Sequence, residues 1–130
     1  GFWGDWLEAP RRQVEGGPVD YLMLDYLAEV TMSILQKQKE RDPRMGYARD
    51  FVGAIESVLP AITGRGVKVV ANAGGVNPEA CAEAILALAA QRGVQGKVKV
   101  GVVTGDDLLP RLDELLAAGH ELKNMDTGEP

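Results

Sequence analysis

Two short runs rich in β-branched residues, "VKVV" at 67–70 and "KVKVGVV" at 97–103, each stand between stretches whose apolar residues recur at helical spacing. A chain that switches between these periods alternates strand and helix. Strands joined by helical crossovers pair in parallel, with helices covering the sheet. A further strand is expected over 19–27, "VDYLMLDYL", because its nearly continuous apolar run suits a strand covered on both faces. The others are expected over 67–73 and 97–105. The predicted fold class is therefore α/β: three layers, a mostly parallel, Rossmann-like sheet flanked by helices. Three strands are few where about five or six are common. The first helix has no strand before it and the last has none after it, so the sheet is expected to be incomplete at both ends.

Five helical stretches accompany the strands. "DWLEAPRRQVEGG" at 5–17 reads as a short helix with Asp5 as its N-cap and Gly16 or Gly17 at its end. Leu27, Val30, Thr31, Ile34 and Leu35 make one face of a second, with Gln36, Lys37 and Lys39 turned to water. Pro43 disfavours helix at Asp42. Phe51, Val52, Ile55, Val58, Leu59 and Ile62 share a face of a third, which Pro60 should kink or shorten and Gly64 and Gly66 should stop. The fourth, 77–93, has Asn77 as cap, Pro78 in its first turn and Gly93 at its end. The last, 106–119, is expected to bury Leu109, Leu112, Leu115 and Leu116, with Pro110 tolerated in the first turn.

At 130 residues the chain suits one α/β domain spanning 1–130. Its formal charge of −5 argues against a nucleic-acid surface, and "KQKER" at 37–41 reads as the solvated end of a helix. No apolar run approaches the ~18–20 residues of a membrane span, and no signal-peptide pattern opens the chain. The single cysteine, Cys81, shares a helical face with Ile85 and Leu88 and reads as a small core residue. One cysteine allows no internal disulfide, which fits a reducing compartment, so a cytoplasmic protein is expected. His120, the one histidine, sits at a helix end and takes a structural or solvent role. No metal is assigned, because zinc would need a site built mainly from carboxylates. The chain opens at Gly1 and closes on "MDTGEP", and it is expected to be an excerpt of a longer polypeptide.

In an open parallel sheet, ligands gather at the carboxyl ends of the strands. The first exit is "LDYLAEVTM", where Asp25 and Glu29 lie four apart. Either they form a carboxylate pair on one face, or Asp25 caps a helix and Glu29 is a first-turn acid favoured by the dipole. The second exit is "VVANAGGVNP" at 69–78. Asn72 can aim its amide at a substrate, and Gly74–Gly75 with the following amides can hold an anion; a plain turn fits as well. The third exit, "VTGDDLLP", brings Gly105, Asp106 and Asp107 to a helix start. Asp106 capping and a dipole-stabilised Asp107 explain them, and so does a carboxylate pair for metal or proton transfer. The opening "GFWGDW", with Trp3, Gly4 and Asp5, either lines an apolar pocket or folds its aromatics into the core.

Taken together, "GFWGDW", "EGGPVDYLMLDYLAEVTMSIL", "RDPRMGYARDF", "VKVVANAGGVNP", "VTGDDLLPRLDEL" and "MDTGEP" resemble the amino-terminal part of the acyclic terpene utilisation (AtuA-type) family. The resemblance runs in the expected order across essentially the whole chain. It implies a longer protein, with a strand before the glycine-aromatic loop and further chain after "MDTGEP". It also implies bacterial breakdown of citronellol- and geraniol-type terpenes, a route through CoA thioesters. Carried over by position, its characteristic polar residues are Asp5, Asp25, Glu29, Asn72, Gly74, Gly75, Gly105, Asp106, Asp107, Asp126 and Glu129.

The leading expectation is a cytoplasmic catabolic enzyme acting on an acyl-CoA or branched carboxylic acid. Hydration, dehydration or isomerisation next to a carbonyl would use Asp25 or Glu29 as base, with Asn72 and the Gly74–Gly75 amides on an oxyanion. Trp3, Gly4, Asp5, Gly105, Asp106 and Asp107 are candidate ligand contacts. Coenzyme A enters only as part of the substrate. The rival expectation is a non-catalytic binding or scaffold subunit, favoured because no His, Cys, Ser or Lys stands in a recognisable catalytic arrangement. A metal-dependent enzyme using Asp106 or Asp107 is a third. The expected partners are a small-molecule substrate and either the remainder of its own chain or a second copy, with no nucleic acid and no membrane.

Overall fold

The computed structural model describes residues 5–129. Helix α1 (Ala9–Gly16) leads into strand β1 (Tyr21–Leu24), then α2 (Glu29–Arg41), α3 (Asp50–Arg65), strand β2 (Lys68–Ala71), α4 (Pro78–Gln91) and a short α5 (Leu112–Ala117). The two strands pair in parallel, Tyr21 opposite Lys68 and Leu24 opposite Ala71, so α2 and α3 together form the crossover. The described residues thus form a mixed helix–strand fold around a small two-stranded parallel sheet flanked by helices.

Alternation along β1 decides where the core lies. Leu22 and Leu24 are buried with Phe51, Ala54, Ile55, Val58 and Leu59 of α3, Val14 of α1, and Cys81, Ile85 and Leu88 of α4. The third-helix stripe read from the sequence is therefore the centre of the core, with Val52 and Ile62 at its margin. Pro60 does not shorten α3. It lies on the exposed side, and the helix runs through it to Arg65. Gly66, at φ +72°, then closes the helix, while Gly64 is still inside it. Pro43 acts as expected, since α2 stops at Arg41 with Asp42 extended.

Several expectations are corrected. The first strand is not covered on both faces: Tyr21 is 62% and Met23 72% exposed, with Val70 beside them. Asp5 does not cap α1, which starts at Ala9; its Oδ1 accepts the Trp6 amide instead. On α2 only Leu35 is buried, Val30 is exposed, and Lys39 reaches across to donate to the Val76 carbonyl at 2.6 Å. The third strand does not form among the described residues. Val98 and Val100 press on the core, yet no hydrogen bond joins residues 98–106 to the sheet. An alternating sequence becomes a strand only where a neighbouring edge supplies its hydrogen bonds. The three-layer sheet is accordingly not seen. The final helix spans six residues rather than fourteen, and its stripe is not buried: Leu109 and Leu116 are exposed and Leu112 and Leu115 half-buried.

Candidate functional site

At the carboxyl end of the sheet, β1 and β2 leave Asp25 and Asn72 on the same exposed side, two residues beyond Met23 and Val70. Asn72 clamps the two exits. Its Nδ2 donates to Asp25 Oδ1 at 2.6 Å, and its Oδ1 accepts the Tyr26 amide at 2.8 Å. The same Asp25 oxygen accepts the Leu27 amide at 3.2 Å. These donors, Asn72 first, hold the Asp25 carboxyl below its ordinary range. Asp25 is thus no helix cap, because α2 begins at Glu29 with Ala28 before it. Glu29 occupies the first turn, as the dipole reading requires, and makes no hydrogen bond or ion pair with described residues.

The abrupt end of β2 in two glycines has a packing cause. Gly75, at φ +55°, sits where a Cβ would lie 2.5 Å from Leu35 Cδ1 and 2.7 Å from the Gly46 carbonyl oxygen. A Cβ on Gly74 would lie 2.7 Å from Pro78 Cβ. The loop is fastened to the segment between α2 and α3. Val76 N–H donates to Gly46 O at 3.0 Å, and Ala48 N–H donates to Ala73 O at 2.8 Å. Asn77 stands at the amino end of α4 but makes no side-chain cap there. Its buried Nδ2 instead donates to the carbonyls of Pro43 and Met45 at 2.8 and 2.7 Å. The Gly75 amide is itself engaged, by the Asn72 carbonyl at 3.1 Å.

The third exit is not brought to this place. Asp107, rather than Asp106, makes the local turn, its Oδ1 accepting the Leu109 amide at 3.0 Å. Gly105, Asp106 and Asp107 are all exposed, and no hydrogen bond or ion pair ties them to Asp25 or Asn72. No three carboxylate, cysteine or histidine side chains gather as a metal site among the described residues. Trp3 and Gly4 lie outside the described residues. Trp6, from the same loop, is exposed beneath the Arg12 guanidinium, 4.6 Å from its ring centre.

Sequence reasoning missed a cavity of about 400 Å³ beside the first exit. Its walls are Tyr26 at the end of β1, Thr31, Leu35 and Gln38 of α2, and Tyr47, Ala48, Arg49 and Asp50 at the amino end of α3. Strand alternation turns Tyr26 inward, away from Asp25, and its ring meets Phe51 edge-on at 5.6 Å. Burial first, then the charges of Asp50 and Asp5, push the Tyr26 phenol up, so it stays protonated at neutral pH. The signal available in the sequence is a tyrosine ending an apolar run and the polar "GYARD" before a helix. Neither has a motif's specificity.

A family model described as the acyclic terpene utilisation family protein AtuA matches residues 1–130. The chain belongs to that family. Membership implies a role in acyclic terpene utilisation. Neither the curated proteins nor the solved structures contain a match. Among the polar positions that the family resemblance marked, Asp25 and Asn72 are joined directly, and Gly74 and Gly75 shape the adjoining turn. Asp126 and Glu129 of the same set belong to a local turn held by Asn124 at the far end of the chain.

Proposed function

We propose that this acyclic terpene utilisation protein works in the cytoplasm on an acyl-CoA or branched carboxylic acid, by acid–base chemistry next to a carbonyl. The observation that carries this reading is the Asn72–Asp25 hydrogen bond, which fixes an amide and a carboxylate together where two parallel strands end. That edge is where such sheets present groups to ligands. Asp25 Oδ2 and the second Asn72 Nδ2 hydrogen make no bond to described residues, so both can face a substrate. Hydration, dehydration and isomerisation all need a positioned base and a donor to the carbonyl oxygen. Asp25 or Glu29 would take the proton, and Asn72 would donate.

The test is turnover of geranyl-CoA and geranic acid by full-length protein carrying Asp25→Ala or Asn72→Ala. Loss of a general base costs ~10²–10⁴ in rate, and loss of an oxyanion donor ~10²–10³. Unchanged turnover in both variants refutes the assignment. The lowered pKa of Asp25 favours a second reading, because a strongly ionised carboxylate is a weak base at neutral pH. In that reading the protein is a binding or scaffold subunit of the pathway, and ligand binding without turnover by the full-length protein would support it. A fuller parallel sheet belongs to the same proposal, with Val98 and Val100 starting its third strand. Free amide exchange across residues 98–103 of the full-length protein would refute that extension.

A further inference from the structure

We propose that in the full-length protein the exposed face of the two-stranded sheet seats the leucine-striped helical segment 108–117 of this same chain, and that this docking carries Asp106 and Asp107 to the Asp25–Asn72 pair. Both surfaces stand bare in the structure. On the sheet, Tyr21 and Met23 of β1 lie beside Lys68 and Val70 of β2, and all four are exposed. On the helix, Leu109 is 62% and Leu116 51% exposed, with Leu112 half-buried between them. Their spacing, i, i+3 and i+7, makes one stripe. A parallel sheet is ordinarily covered on both faces.

Topology selects the occupant. Helices α1, α3 and α4 all pack on the buried face, around Leu22 and Leu24. Crossovers between parallel strands are right-handed, so helices on one face carry the chain across the sheet in one direction. α3 takes it from β1 to β2, and α4 takes it on to the third strand proposed above from Val98 and Val100. This step rests on that reading. A crossover on the bare face must run back the other way. The next helix in the chain is α5, with its leading turn at Leu109–Arg111.

Size and charge agree with this occupant. Leu109 to Leu116 spans about 10 Å at ~1.5 Å per residue, and Tyr21 to Asp25 about 13 Å at ~3.3 Å per residue. Two strands ~4.8 Å apart make a face about as wide as one helix of ~10 Å diameter. Lys68, at the amino end of that face, has no ion pair with described residues, and its ammonium lies 5.2 Å from the Tyr21 ring centre. A helix returning antiparallel to the strands brings its later turns there. Asp113 flanks the leucine stripe, is also without an ion pair among described residues, and then meets Lys68. The start of the helix lies at the opposite end, where β1 and β2 release Asp25 and Asn72. Asp106 and Asp107 arrive beside them, so the site gains a second carboxylate, one to take a proton and one to return it.

Cysteine pairs in the full-length protein test this. Met23→Cys is combined in turn with Leu109→Cys, Leu112→Cys and Leu116→Cys, and each variant is oxidised. At least one pair should close an intramolecular disulfide in most molecules, read by mass and mapped by digestion. Met23→Cys with Leu86→Cys, exposed on α4 across the sheet, should stay reduced. Leu109→Asp should also lower the melting midpoint of the full-length protein by several degrees, although a leucine left in water tolerates that change. No cross-link in any of the three pairs, a disulfide only between molecules, or an unmoved midpoint overturns the docking. Protected amides at 98–103 without a cross-link refute the docking and keep the third strand. A cross-link with free exchange at those amides keeps the docking and refutes the strand.

Discussion

Replacing Gly75 by alanine should destabilise the protein more than its small size implies. The backbone at Gly75, φ +55°, costs an L residue roughly 1–2 kcal/mol. The new Cβ would also fall 2.5 Å from Leu35 Cδ1 and 2.7 Å from Gly46 O. Leu35 is 2% exposed and has little room to withdraw, and the Gly46 carbonyl is held by the Val76 amide. Relieving both clashes costs about 1–3 kcal/mol more, as overpacking generally does. The total is roughly 2–5 kcal/mol. With an unfolding entropy of ~2.1 cal/mol/K per residue, that lowers the melting midpoint by about 7–18 °C. Gly53→Ala is the matched control. Gly53 is exposed inside α3, and a Cβ added there would meet nothing within 4 Å, so alanine should stabilise by about 0.5–1 kcal/mol. Thermal melts of both variants, followed by circular dichroism, decide the matter. A Gly75→Ala protein melting within about 2 °C of the parent would refute the packing account.

Three further outcomes are expected. Asn77→Ala strips the Pro43 and Met45 carbonyls of their buried donor and should cost about 1–3 kcal/mol, seen as a lower urea midpoint at unchanged slope; an unmoved midpoint refutes it. The Cys81 thiol, 4% exposed and pushed up to about 11 by burial, should react with iodoacetamide at pH 8 about two orders of magnitude more slowly in native than in urea-unfolded protein, and equal rates would contradict this. Because Asn72 and the Leu27 amide lower the Asp25 pKa, Asp25 contributes stability that is full above its unfolded value and disappears as pH falls through the folded one. Asn72→Ala should therefore shift the Asp25 titration upward in carboxyl-carbon NMR, and an unchanged titration would show that the bond is unimportant in solution.

Local rules find the elements whose partners lie close in sequence or are demanded by the core. The face Phe51–Ile55–Val58–Leu59 is legible because helical spacing and burial agree there, and Cys81 follows from the same argument on α4. Residues 97–105 and 106–119 mislead for one reason. Their patterns ask for a neighbouring edge and a neighbouring face, and neither lies against them among the described residues. By position alone Lys39 and Asn77 take local roles, solvent and helix cap. In the fold both are spent on distant carbonyls, 37, 34 and 32 residues away in sequence.

The candidate site divides along the same line. Asp25 and Asn72 are legible because polar residues ending apolar strands stand out, and parallel pairing places them side by side. The cavity is invisible in the sequence because each of its residues has an ordinary reading where it stands: Tyr26 as core, Arg49 as surface, Asp50 as a first-turn acid. Only the fastening of the 43–48 segment to the 73–77 loop brings the amino end of α3 against α2 and leaves Arg49 without a counter-charge among the described residues. That same fastening is what Gly75 and Asn77 sustain. Gly75→Ala should therefore disturb the cavity as well as the fold, speeding hydrogen exchange of the Tyr47–Asp50 amides at temperatures where the protein is still folded, whereas Gly53→Ala, at a residue that does not line the cavity, should leave that exchange untouched.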